Sequence, residues 1–359
     1  MTKPDNKSLS VNKGTEHTGS INPEYKLKKS QLKKRDEYVE GIKSGDRAIL
    51  SQVITFIESS KEEYRQLGQE ILEECMAVTG KTVRIGITGV PGVGKSTFIE
   101  AMGKHLIDNG KKLAVLTIDP SSSRSKGSIL GDKTRMQFLS TNENAFIRPS
   151  PTSGALGGVA RKTRETMLLC EAAGFDTIFI ETVGVGQSET TVHSMVDFFL
   201  LLMLPGAGDE LQGIKRGVME MADLIAINKA EEQNRKAADR AKREYENALS
   251  LFPPSPSGWK PPVLTCSALE QRGITEIWEQ VENYLHQTKE NNYFEERRKG
   301  QASRWMYETI DSELKNEFMN DPSVKEKLKE IENLVINGKI SSFRAAEKLL
   351  TIYKPEFDS

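Results

Sequence analysis

Three glycines, a lysine and two hydroxyls fall together in Gly89-Val90-Pro91-Gly92-Val93-Gly94-Lys95-Ser96-Thr97, a spacing suited to gripping a chain of phosphates. A backbone without Cβ atoms can curl close to phosphate oxygens. The successive N–H groups of such a loop, with the start of a following helix, then face the anion. Lys95 supplies positive charge at the β- and γ-phosphates, and the Ser96 hydroxyl is placed to hold Mg²⁺. The flanks have the required character. Val83–Thr88 is an apolar run that reads as a buried strand, and Phe98–Leu106 carries apolar residues at helical spacing. Strand, glycine-rich turn, Lys-Ser and helix make the P-loop pattern in its proper setting, so the chain is expected to bind a nucleoside triphosphate.

Further candidates follow later apolar runs. Asp119, in Asp119-Pro120-Ser121-Ser122-Ser123-Arg124, comes directly after Leu113–Ile118. It is placed either to bind Mg²⁺, directly or through water, or to shape an Asp-Pro turn. Asp132 is a second candidate for metal or switch duty, with a helix N-cap as its other reading. After Phe175–Ile180 come Glu181-Thr182-Val183-Gly184, where GTPases usually carry Asp-x-x-Gly with a glycine N–H that senses the γ-phosphate. Glu181 is suited to organise Mg²⁺ through its waters or to orient the attacking water, or else to cap the next segment. The run Pro205–Gly217 holds four glycines and mixed charge and is expected to change shape with nucleotide state.

Base recognition has its own pair of signals. Asn228-Lys229-Ala230-Glu231 follows Leu224–Ile227 and parallels the Asn-Lys-x-Asp of GTPases, whose acid accepts guanine N1–H and N2–H₂. Glu231 keeps the charge and adds a methylene. Ser267-Ala268-Leu269 follows Val263–Cys266, where a backbone N–H can reach guanine O6. In this order the elements point to GTP and GDP rather than ATP, with Mg²⁺ as the companion ion.

These residues need elements to hold them. Val83–Thr88, Leu113–Ile118, Ala145–Ile147, Phe175–Ile180, Phe198–Leu204, Leu224–Ile227 and Val263–Cys266 alternate with helical patterns. Short continuous apolar runs with helices between them predict an α/β fold with a mostly parallel sheet covered on both faces. Its chemistry belongs beyond the carboxyl ends of the strands. Residues 1–24 are polar and are expected to be a disordered tail. The basic cluster Lys26, Lys28, Lys29, Lys33, Lys34, Arg35 reads as a solvated helix face. Leu50, Val53, Ile54 and Ile57, then Leu67, Ile71 and Met76, predict an N-terminal helical extension over residues 25–80, ahead of a nucleotide domain at 81–289. Residues 290–359 form a charged helical arm in which Met306, Ile310, Leu314 and Phe318 recur every four positions. Such a face needs an apolar surface to cover, on its own domain or on a second subunit, and a dimer is the preferred reading.

Bulk properties remove several classes. The 359 residues carry a net charge of −1, which gives no footprint for bulk nucleic-acid binding. The three cysteines and four histidines are scattered, offering neither a disulfide framework nor a metal cluster, and a reducing cytosol is the expected home. The start lacks the apolar core of a signal peptide, and Phe198–Leu204 is too short to span a bilayer. A cytoplasmic protein is therefore expected.

Several motifs together resemble the methylmalonyl-CoA-mutase-associated GTPases, the G-protein chaperones of adenosylcobalamin-dependent mutases. They are the P-loop run, Ile118-Asp119-Pro120-Ser121-Ser122, Gly131-Asp132-Lys133-Thr134-Arg135-Met136, Glu181–Glu189, Pro205–Lys215 and Asn228-Lys229-Ala230. The resemblance spans roughly Ser44 to Leu285. It implies a P-loop NTPase domain of the SIMIBI class with a C-terminal dimerisation arm. It also implies a homodimer that hydrolyses GTP slowly, binds the mutase, gates cofactor loading from a cobalamin adenosyltransferase, and protects or reactivates the mutase. By position, Lys95 and Ser96 serve phosphate and Mg²⁺. Asp119, Asp132 and Glu181 take metal and switch roles, and Asp209–Lys215 becomes a third switch segment. The family usually ends its base motif in Asp, where this chain has Glu231. Two alternatives are a P-loop kinase acting on a small molecule or protein, and a nickel-chaperone GTPase; the latter needs a His- or Cys-rich site.

Overall fold

Seven parallel strands form the described sheet: β1 (Val83–Gly89), β2 (Leu113–Ile118), β3 (Ala145–Pro149), β4 (Thr177–Thr182), β5 (Phe198–Met203), β6 (Leu224–Ile227) and β7 (Val263–Thr265). Their order is β3-β2-β4-β1-β5-β6-β7. The computed structural model describes residues 32–118, 136–149, 156–182, 188–206 and 216–354. The chain divides into two units, Met1–Lys34 and Arg35–Ser359, and the sheet belongs to the second. Asp119, Asp132, Gly184, most of the Pro205–Gly217 run, the N-terminal tail and all but the end of the Lys26–Arg35 cluster lie outside the described residues.

The strands are apolar on both faces because both faces are covered. On one face the helices α1 (Arg35–Lys43), α2 (Arg47–Glu58) and α3 (Glu62–Cys75) contribute Tyr38, Ile42, Leu50, Ile54 and Ile71 to a core with Leu116, Ile180 and Leu201 of the sheet. Asp46 starts α2 by accepting from Ala48 N and Ile49 N, at 2.8 and 3.1 Å, which satisfies two of the amides a helix start leaves open. On the other face, α4 (Lys95–Asp108) and α10 (Ile274–Glu290) bring Phe98, Met102, Ile277 and Tyr284 against Ile85, Ile87 and Leu200. The alternation of Ile85 and Ile87 toward this face is the period of two of a strand. Between these helices in the chain come α5 (Gln137–Thr141), α6 (Leu156–Ala172), α7 (Ser188–His193), α8 (Arg216–Glu220) and α9 (Arg235–Leu249).

Two strand limits differ from the apolar runs. β4 starts at Thr177, two residues late, where its pairing with Val83 of β1 and Leu113 of β2 begins; Phe175 ahead of it packs on Phe146 at 5.9 Å. It continues through Glu181 and Thr182, which pair with Thr117 and Ile118 of β2. Hydrogen-bonded pairing, not hydropathy, decides where a strand stops.

The arm consists of α11 (Tyr293–Asn320), α12 (Pro322–Ile336) and α13 (Ser342–Tyr353). Helix α11 is fastened to the N-terminal edge of the sheet, opposite the P-loop. The Arg298 guanidinium donates to both oxygens of Asp197, at 2.8 and 2.7 Å, and Gln301 Nε2 donates to Val196 O at 2.8 Å. One turn further, Trp305 lies between the guanidiniums of Arg84 and Arg164, at 5.6 and 5.3 Å. Met306, Ile310 and Leu314 point elsewhere and stay 45–55% exposed on the single chain. The apolar face of α11 is thus not spent on its own sheet.

Candidate functional site

Strand β1 delivers the P-loop at the point where the sheet order reverses, with β4 on one side and β5 on the other, the position at which open α/β sheets bind ligands. Gly89 leaves the strand at φ 150°, and a Cβ there would stand 2.4 Å from Leu202 O of β5. Gly94 opens α4 in the left-handed region at φ 93°, and its Cβ would meet Asn228 Nδ2 at 2.8 Å. Both positions require glycine.

The Lys95 amine is buried and donates to Gly89 O at 2.8 Å and Val90 O at 3.3 Å, bracing the loop from within. Burial pulls its pKa below the usual lysine value, while the carboxylates of Glu181 and Glu189 work against that fall. Beside it, Ser96 Oγ donates to Glu181 Oε1 at 3.3 Å. Glu181 is buried in β4, and next to it Thr182 Oγ1 donates to Thr88 Oγ1 at 2.8 Å, tying the ends of β4 and β1 together. Serine hydroxyl and carboxylate are both hard oxygen donors, the set that Mg²⁺ accepts. No group of three or more His, Cys, Asp or Glu that could hold a metal exists among the described residues. Ser96 and Glu181 are the described residues suited to a divalent cation here.

Across the loop stand the segments that follow β6 and β7. Asn228 Nδ2 donates to Val93 O at 2.8 Å, while its Oδ1 accepts from Ala268 N at 3.1 Å and from the Cys266 thiol at 3.6 Å. Burial pushes that thiol up to about 12, so it remains an S–H donor. Lys229 has φ 59°, uncommon for a residue with a Cβ. Ser267 Oγ donates to Glu231 Oε1 at 3.0 Å and accepts from Glu270 N at 3.1 Å. Leu269 is 77% exposed and takes no part in the core. The fold therefore brings Gly89–Thr97, Glu181, Asn228–Glu231 and Ser267–Ala268 to one edge of the sheet.

Two residues that the motifs did not single out also stand here. Glu189 is fully buried at the start of α7, close enough for its charge to act on Lys95. Its position in the Glu181–Glu189 run was the available signal. Arg272 reaches Ala230 O with its guanidinium; nothing in the local sequence announces a contact across 42 residues.

A family model described as methylmalonyl Co-A mutase-associated GTPase MeaB matches residues 50–323. The chain belongs to the MeaB family of GTPases. It is 50% identical over 310 residues to a putative GTPase of Caulobacter vibrioides, covering 86% of this chain and 95% of that one. It is 47% identical over 286 residues to GTPase ArgK of Escherichia coli, covering 79% and 86%. Identity to a methylmalonic aciduria type A homolog, mitochondrial, of Mus musculus is 45% over 329 residues, covering 89% and 79%. A solved structure described as LAO/AO transport system kinase superposes with a TM-score of 0.72 at 36% identity, covering 90% of this chain and all of that one. The chain is thus a GTPase and a binder of guanine nucleotide. No helix among its described residues is long and apolar enough to cross a membrane.

Proposed function

We propose that the chain is a GTP-hydrolysing chaperone of an adenosylcobalamin-dependent acyl-CoA mutase, methylmalonyl-CoA mutase before others. Nucleotide state would gate cofactor loading from an adenosyltransferase and the protection or reactivation of the mutase. The observation that carries this reading is the match to a mutase-associated GTPase family over residues 50–323, joined by a relative named for methylmalonic aciduria.

In this reading the backbone of Gly89–Thr97 cradles the phosphates and Lys95 holds charge against the β- and γ-oxygens. Asn228, Lys229 and Glu231 with Ser267, Ala268 and Leu269 take the base. Mg²⁺ fits Ser96 and Glu181, with Asp119 and Asp132 as further candidates, and when bound it supplies positive charge against the phosphates. Glu181, which accepts from Ser96 Oγ at 3.3 Å, is suited to orient water, and Asp119 is the other acid proposed for the reaction. Asp209–Lys215 would carry nucleotide state to the mutase. The half-exposed Met306, Ile310 and Leu314 face of α11 supports a homodimer through the arm; a cytoplasmic site of action belongs to the same proposal.

Mixing the purified chain with methylmalonyl-CoA mutase, with GTP, with GDP and without nucleotide, tests this by co-elution and phosphate release. A nucleotide-sensitive complex is expected. Absence of a complex in all three conditions overturns the mutase reading and leaves the GTPase untouched. The kinase alternative has one observation behind it, the likeness to a structure described as a transport system kinase. Transfer of labelled γ-phosphate to an acceptor other than water would favour it.

A further inference from the structure

We infer that Arg272 is a positioning residue for guanine recognition, locking the Asn228–Glu231 turn and the Ser267–Leu269 loop into one edge of fixed spacing. The inference rests on the reading of that edge as the guanine site, and it assigns a role to a residue outside both motifs.

The backbone of Arg272 closes the second loop. Ser267 N donates to Arg272 O at 3.0 Å and Arg272 N donates to Ser267 O at 3.1 Å, an antiparallel bridge across the four residues between them. The side chain of Arg272 then leaves this loop for the other one and donates to Ala230 O. Glu270 Oε2 lies 3.3 Å from the same guanidinium nitrogen and steadies it. From the opposite direction, Ala230 N donates to Cys266 O at 3.0 Å. Both peptide groups of Ala230 are therefore pinned to the segment that carries the second loop.

The first turn needs such pinning. Lys229 sits at φ 59°, a conformation that is unfavourable for a residue with a Cβ and persists where its surroundings over-determine it. Ala230 lies between that strained residue and Glu231, whose carboxylate is to meet guanine N1–H and N2–H₂. If Ala230 O is released, the Glu231 side chain loses its fixed height over the base, although Ser267 Oγ still donates to it at 3.0 Å. A charge-assisted bond to a carbonyl is among the stronger ways to fix such a turn. The guanidinium borders a polar cavity of about 260 Å³ that Arg235, Lys242, Asp239 and Glu276 also line, and the Arg272 side chain is 45% exposed. Truncation therefore removes the lock without opening the apolar core.

The test uses the full chain and three nucleotides: GTP, GDP and inosine triphosphate, which lacks the 2-amino group. Arg272→Ala should weaken GTP and GDP about tenfold alike and weaken inosine triphosphate less. The preference for GTP over inosine triphosphate then shrinks while kcat at saturating GTP stays within about twofold. Arg272→Lys, which keeps a cationic donor, should fall between. Equal weakening of GTP and inosine triphosphate, a fall in kcat at unchanged KM, or no change at all would overturn the inference. Arg272→Gln replaces the alanine variant if thermal melting shows that one unfolded, with the same ratio decisive. A wild-type chain that binds GTP no better than ATP brings down the guanine-site reading and this inference with it. A selective wild type with an indifferent Arg272→Ala brings down the inference alone.

Discussion

The amide of Asn228 reaches 2.8 Å to the carbonyl of Val93 and so joins the loop after β6 to the middle of the P-loop. Its other face accepts from Ala268 N at 3.1 Å, which makes one buried side chain the common anchor of three loops. Asn228→Ala strands the Val93 carbonyl and the Ala268 amide together. A loss of about 2–3 kcal/mol in urea-induced unfolding is expected, from two buried groups left without their partner. Nucleotide affinity should fall at the same time, because the P-loop and base loops no longer share a fixed spacing. A variant with unchanged stability and affinity would refute the anchoring role.

Lys95 stands at the phosphate end with its amine bonded to Gly89 O and Val90 O. Lys95→Ala should lower GTP hydrolysis on the order of a hundredfold or more, the scale seen when one preorganised electrostatic group is removed from a reacting centre. The circular dichroism spectrum should stay native, since the loop glycines and α4 remain. Phosphate release at the wild-type rate would remove Lys95 from the mechanism.

Glu231 carries the departure from the usual aspartate. With its carboxylate held by Ser267 Oγ at 3.0 Å, GTP should outcompete ATP by at least about tenfold, which is roughly 1.4 kcal/mol. Glu231→Ala should bring the two nucleotides toward parity. Competition assays with both nucleotides on wild type and variant decide the matter; equal competition in the wild type would mean that the longer acid no longer selects the base.

The buried Asp223 and the half-buried His193, both beside Arg297, pull stability in opposite directions with pH. Burial first, then the charges of Arg297 and Arg304, lower His193 from the ordinary 6.5 to about 4. Between those values the unfolded chain binds more protons, so this residue makes stability rise with pH. Burial raises Asp223 from 3.8 to about 6, against the Arg297 charge and the bond from Phe199 N. There the native state binds more protons, so this residue makes stability fall with pH over nearly the same window. Each effect is worth about 3 kcal/mol at full extent. Relative to wild type, Asp223→Asn should gain stability as pH climbs from 4 to 6, and His193→Gln should lose it from 4 to 6.5. Unfolding midpoints at several pH values check both signs.

Seven parallel strands were legible because most are buried along their whole length and read as unbroken apolar runs, with the edge strands β3 and β7 only partly covered. Their ends were less legible. Glu181 sits inside β4, paired with Ile87 and Thr117, although a carboxylate after an apolar run reads as the start of a loop. The arm shows a similar limit. Met306, Ile310 and Leu314 repeat at helical spacing in the sequence, yet helix α11 meets the sheet through Arg298, Gln301 and Trp305 instead. Apolar periodicity marks a helix and a face, while the partner of that face depends on long-range packing.

By itself, the sequence determined the strand–turn–helix of the P-loop, the α/β layering and the order of the candidate loops. These depend on local backbone preference and on burial, which residue types report directly. Only the tertiary structure decided which side chains share the site and what holds them there. The bonds from Asn228 to Val93, from Ser267 to Glu231 and from Arg272 to Ala230 cross 135, 36 and 42 residues. Such contacts exist only after the sheet has placed the ends of β1, β6 and β7 along one edge, and no local pattern encodes that geometry.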